Sequence, residues 1–212
     1  MSKRLFRRQL RAAKRWAKKR PFALTAIVLF VVVLGYTMYM QNRRLAVDPA
    51  TYKPLLQLIA RVESKGNYNA YFGNAHNKTI DFTNMSVARV MQWQKDYVNQ
   101  GSPSSAVGRY QIIDTTLVGL IQQLKIDTSQ KFDEVLQDRL AMALLERRGA
   151  EQYINSELTN EAFAANLAKE WAALPKAVGE HPQNSYYAGD GVNRALVGVD
   201  EVRQAIEQIR PK

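Results

Sequence analysis

The chain has 212 residues, a formal net charge of +11, 46% hydrophobic residues and no cysteine. The missing cysteine excludes disulfides, thiol nucleophiles and thiolate metal sites. His76 and His181 lack ligand-type spacing, and there is neither a Gly-x-Ser-x-Gly elbow nor a phosphate-binding glycine loop, so zinc, serine-hydrolase and P-loop chemistry are disfavoured and no metal or cofactor is expected.

The charge sits at one end. Residues 1–20 carry ten Lys and Arg and no acid, residues 21–40 carry no charge, and residues 41–212 are close to neutral. The basic tail interleaves Leu5, Phe6, Leu10 and Trp16 with its cations, a pattern suited to anionic lipid headgroups. The run Phe22 to Met40 is long enough as a helix to cross a hydrocarbon core of about 30 Å. Tyr36 and Tyr39 fall at one end of it, where interfacial aromatics belong. No small-x-small cleavage signal follows Met40, so residues 21–40 read as an uncleaved transmembrane anchor rather than a signal peptide. The positive-inside rule then puts residues 1–20 in the cytoplasm and the rest outside it, periplasmic or virion-associated. Membrane lipids are expected partners of residues 1–40, and nucleic acid is not expected for the main domain.

Residues 41–51 read as a linker, and residues 52–212 as one mainly helical domain of ordinary size. A first helix starts near Pro54 and stops at Gly66. Others follow Ser86, open at Thr115 or Thr116, run from Asp133 to Gly149, extend from Glu161 to Leu174 before Pro175, and follow Asp200. Segments 66–85, 99–113 and 175–192 are rich in Gly, Asn, Ser and Pro and read as long loops of the kind that often carry function.

Glu63 is the residue that carries most information. It shares a helix stripe with Leu55, Leu56, Ile59 and Val62, so a carboxyl group lies on the core-facing side. Burial raises a carboxyl pKa, and an acid kept partly neutral near pH 7 can protonate a leaving group. The alternative is a helix-end glutamate that turns to solvent or pairs with Arg61 or Lys65. Three loops, Gly66–Asn74, Ala106–Ile113 and Asn184–Asn193, share small residues, amides and tyrosines with little charge. Such clefts suit neutral polar polymers better than phosphates, which call for arginine clusters.

Taken in order, Glu63-Ser64, Gly108-Arg109-Tyr110-Gln111 and Ser185-Tyr186-Tyr187-Ala188-Gly189 resemble the three signatures of lytic transglycosylases in the lysozyme superfamily. Asp81-Phe82-Thr83-Asn84, Gly108-Arg109-Tyr110-Gln111 and Glu170 to Pro175 are similar to the phage lambda type of these enzymes, and the run Phe132 to Ala141 and Arg148-Gly149 resemble phage-derived relatives. The resemblance covers about residues 52–210. It implies a lysozyme-like α+β domain with long active-site loops, and cleavage of the β-1,4 bond between N-acetylmuramic acid and N-acetylglucosamine in peptidoglycan glycan strands. It implies Glu63 as the acid, with Ser64, Tyr68, Tyr110, Gln111, Tyr186 and Tyr187 binding or orienting substrate. Arg109 reads as a loop brace and Trp171 as core. Tyr187 stands where many transglycosylases have Asn, and Phe72 stands where T4-type muramidases have Asp.

Glycosidases usually need a second carboxylate as nucleophile or base. The candidates are Asp81, Asp114 and Asp190, each equally readable as a cap or loop residue. One clear glutamate without a clear partner favours a lytic transglycosylase, in which the same residue later acts as base. A hydrolytic muramidase and a non-catalytic, membrane-anchored peptidoglycan-binding or assembly module remain the alternatives. Virion or secretion-machine proteins are candidate partners.

Overall fold

The computed structural model describes residues 48–210, so the basic tail 1–20, the span 21–40 and the linker as far as residue 47 lie outside the described residues. Within 48–210 no helix is long and apolar enough to cross a membrane.

Seven α-helices form the domain among these residues: α1 Lys53–Ser64, α2 Val87–Asn99, α3 Asp114–Leu124, α4 Glu134–Arg147, α5 Ala150–Ile154, α6 Asn160–Ala168 and α7 Val199–Glu207. Their starts follow local chemistry. Ser86 Oγ accepts the Arg89 N–H before α2, Asp133 accepts Leu136 N–H before α4, and Thr159 Oγ1 accepts Ala162 N–H before α6. α1 begins with Pro54 in its first turn and stops abruptly at Lys65, which is left-handed at φ 57°, while Gly66 N–H closes on Ala60 O at 2.9 Å.

α1 is the central rod. Leu55, Ile59 and Ala60 are fully buried, and α1 packs on α7 and α4. α6 packs on α7, α2 on α3, and the short α5 links α4 to α6. Burying each large aliphatic side chain here contributes about 1.5–3 kcal/mol. Glu63 lies in the last turn of this rod, so its position is fixed by the best-packed element of the fold.

Two expectations are corrected. The β part of an α+β domain is absent: the described residues contain no strand, only isolated bridges such as Tyr71 to Val107, Val107 to Ile112 and Pro175 to Ser185. The loops are instead held by side chains. Asn77 is buried, donates to Asn69 O and Ile80 O, and accepts from Thr79 and Ile80 N–H. Asn67 donates to Ala75 O and Asn77 O. Tyr71, Phe82, Trp93 and Tyr97 form an aromatic cluster that fastens the 66–85 loop to α2. The second correction concerns the helix expected over 161–174. It ends at Ala168, because Glu170 turns inward onto Arg147 and Arg148.

Gly108 is a position where glycine is required. It has φ +78°, and a Cβ there would fall on Gln137 Oε1 and within 3.2 Å of Phe132. Gln137 cannot retreat freely, since its Oε1 accepts Arg109 N–H and its Nε2 donates to Tyr68 O and Phe132 O. Gly108→Ala is expected to destabilise the domain by about 2–4 kcal/mol, read as a lower denaturation midpoint at unchanged slope.

Candidate active site

The carboxyl of Glu63 lies in a desolvated setting, with only an edge of the residue exposed. Its Oε1 accepts the Ala173 N–H at 3.2 Å. Burial pushes its pKa from an ordinary 4.5 up to about 7, and the single N–H opposes that rise; no neighbouring charge enters. Arg61 does not neutralise it, being paired with Glu201 on the surface. The carboxyl is therefore about half protonated near neutral pH, the state in which a side chain can both give and take a proton.

Three segments are tied to one another beside this end of α1. Ser64 is fully buried, and its hydroxyl shares its one proton between Arg109 O at 2.7 Å and Ala60 O at 3.0 Å. It ties the 108–111 turn to α1 beside Glu63. Arg109 Nη1 donates to Gly66 O at 3.1 Å, so Arg109 does brace a loop, with its guanidinium 4.7 Å from the Tyr68 ring centre and 5.9 Å from that of Tyr110. Trp171 is buried, and its indole N–H donates to Tyr110 O at 3.2 Å, joining the 108–111 turn to the segment that carries Ala173.

Asp138, which the sequence reading did not single out, holds two of the expected residues. Tyr110 Oη donates to it at 2.7 Å and Tyr68 Oη at 3.0 Å. Burial, then the contact with Asp138, pushes the Tyr68 phenol up to about 12 and raises Tyr110 as well. Both hydroxyls thus remain neutral donors to Asp138. The neighbouring Gln137 clamps the same two loops through their backbones. The only sequence signal for this pair was its place in the run Phe132 to Ala141.

The remaining expected residues separate into two groups. Ser64 and Tyr110, named for substrate contact, are enclosed at 0% and 2% exposure, and what they touch is the loop framework. Gln111, in left-handed backbone at φ 48°, folds its amide onto Gly108 O. Tyr68 is half-buried, while Tyr186 and Tyr187 are exposed and meet edge to face at 5.2 Å. Tyr187 Oη donates to Lys169 O at 2.8 Å, which places this tyrosine on the segment that leads to Ala173.

The three candidate second carboxylates are all engaged locally. Asp81 accepts from Thr83 and Asn84, and these hydrogen bonds hold its carboxyl below the usual range. Asp190 accepts Val192 N–H, Asn193 N–H and the Asn193 amide, with the same consequence. Asp114 exchanges hydrogen bonds with Ser105 at the start of α3. No group of three or more His, Asp or Glu suited to a metal occurs among the described residues.

The described residues thus form a helical domain in which one half-buried carboxyl accepts a single backbone N–H. A family model described as Endolysin matches residues 55–191, more than half of the chain. The chain belongs to the Endolysin family, the phage-type enzymes that lyse cell walls, and peptidoglycan is its substrate. No curated protein and no solved structure matches it.

Because the pKa of Glu63 is higher in the folded chain than in the unfolded one, the native state holds this proton more tightly. That contribution is present below about pH 4.5 and is lost as pH rises through about 7. Glu63→Gln keeps an oxygen for Ala173 N–H and does not titrate. Chemical denaturation should find it more stable than the parent by about 2–3 kcal/mol at pH 8, and close to the parent at pH 4, the partial exposure of the residue favouring the lower figure.

Proposed function

We propose that Glu63 is the general acid of a lytic transglycosylase. The protonated carboxyl gives its proton to the glycosidic oxygen between N-acetylmuramic acid and N-acetylglucosamine, and the C1–O4 bond breaks. The resulting carboxylate takes the proton of the muramoyl C6 hydroxyl, O6 attacks C1, and a 1,6-anhydro ring closes. No water is consumed, and Glu63 ends protonated as it began. The observation that carries this reading is the setting of Glu63: a carboxyl raised to about 7 by burial and facing a single backbone N–H. A glycosidase working through an acid and a nucleophile or base would hold a second carboxylate at about 5–9.5 Å, where its charge would be felt. Asp81, Asp114 and Asp190 serve their own turns and helix start instead. Tyr68, Tyr186 and Tyr187 line the route of the glycan strand.

Residues 21–40 anchor the enzyme in a membrane, with residues 1–20 on the cytoplasmic side and the lytic domain facing the wall. Support comes from the uncharged run beside ten cations. The tether confines the enzyme to the shell between membrane and wall and raises its effective concentration there. The full-length chain should resist carbonate extraction from membranes, while a chain starting near Tyr52 should be released; release of both would remove the anchor.

Mass spectrometry of muropeptides released from purified peptidoglycan should show anhydro ends, one water lighter than reducing ends. Reducing ends would instead establish a hydrolytic muramidase, and no product from the folded enzyme would establish a binding module. Glu63→Gln should lower kcat/KM by about 10²–10⁴-fold, while Asp81→Asn, Asp114→Asn and Asp190→Asn each stay within about tenfold. For the parent, kcat/KM should fall about tenfold per pH unit above pH 7, where the free enzyme loses the proton it must donate.

A further inference from the structure

Trp171 N–H still donates to Leu167 O, four residues back, at 3.0 Å, and the chain leaves the α6 axis after it although its sequence could continue the helix. In a continued helix, Ala173 N–H would donate to Lys169 O, four residues back. Here that carbonyl accepts two side chains instead: Arg148 Nη2 at 3.2 Å and Tyr187 Oη at 2.8 Å. The Ala173 N–H is thereby left for Glu63 Oε1.

The turn is held from below by an ion-pair fork. Glu170, its side chain only 6% exposed, accepts Arg147 Nη2 on both carboxylate oxygens at 2.9 Å and Arg148 Nε at 2.8 Å. Arg148 thus grips two consecutive residues of the turn, one by its carboxylate and one by its carbonyl. The other side is fixed by the Trp171 indole on Tyr110 O and by Leu196 N–H on Ala173 O at 2.8 Å. None of the fork residues has a hydrogen bond to Glu63 or contributes to its titration.

We infer that Arg148 and Glu170 are positioning residues for the catalytic carboxyl: they keep Lys169 O from its helical partner so that the Ala173 main-chain N–H is presented to Glu63. The inference rests on Glu63 being the acid. It extends that reading to residues on the far side of the turn, and it gives Tyr187 a place as the second hold on Lys169 O.

The charged and titratable groups around the turn are its own Lys169 and Glu170, Arg147 and Arg148 from the end of α4, and Tyr186 and Tyr187 from the 185–191 segment. Two mechanisms therefore predict opposite signs. Losing the negative charge of Glu170 and leaving two unpaired arginines would, through space, lower the Glu63 pKa. Losing the Ala173 N–H, which now opposes the effect of burial, would raise it.

The test is a carbon-13 carboxyl titration of Glu63 in the full-length parent, Glu170→Gln and Tyr187→Phe, with kcat/KM against pH measured alongside. Both variants should titrate higher than the parent by at least about half a pH unit, and the descending limb of kcat/KM should move up with them. Phe163→Leu, a core truncation against Tyr153, should lower the melting temperature and leave both profiles in place. A titration that stays put or moves down in the two variants overturns the inference. Should Glu170→Gln not fold, Tyr187→Phe decides alone, since Tyr187 is exposed and loses only one hydroxyl. The carboxyl is read directly, so the inference is decided even if an active Glu63→Gln removes Glu63 as the acid.

Discussion

One conflict organises the molecule: a carboxyl group is kept half out of water at the end of the best-buried helix. Desolvation alone would hold Glu63 neutral, and a strong cation beside it would hold it charged. The fold does neither. It offers a single backbone N–H from Ala173, which moderates the effect of burial and leaves the group balanced near neutral pH. A side-chain donor would bring its own flexibility and charge. A main-chain N–H is rigid and uncharged, but it must be withheld from regular helical pairing, and much of the architecture after α6 accomplishes that.

The helices were legible because their determinants are local. Ser86, Asp133 and Thr159 cap as their spacing before apolar runs implies, and the stripe of Leu55, Ile59 and Val62 marks the face of α1 that is buried. The end of α6 was not legible. Trp171 and Leu174 keep helical spacing, so the pattern runs on through Leu174, whereas the break is imposed by Arg147 and Arg148, more than twenty residues earlier in the chain. Propensity was overruled by a tertiary ion pair.

The site divides in the same way. The burial of Glu63 was legible because the oddity is visible in sequence: an acid on an apolar stripe. Asp138 could not, because its partners Tyr68 and Tyr110 lie 70 and 28 residues away and the surrounding helix gives no reason to mark it. The amide-rich loops point, by composition, toward a polar polymer. In the structure much of that amide chemistry is turned inward: Asn67, Asn69 and Asn77 satisfy loop backbone groups that no sheet provides for. Composition alone cannot separate amides that bind a ligand from amides that replace a β-ladder.

Gln137 and Asp138, one dipeptide near the start of α4, hold the loop after Glu63 and the 108–111 turn, and through Tyr110 O and Trp171 they reach a third segment, Lys169–Ala173. Surface loops ordinarily open one at a time, each with its own small free energy. Here a fluctuation that frees one loop must disturb an anchor shared with its neighbours. Backbone amides in all three segments should therefore exchange with solvent as one cooperative unit, with the protection of the helices rather than of loops. These loops behave as a part of the core that happens to reach the surface.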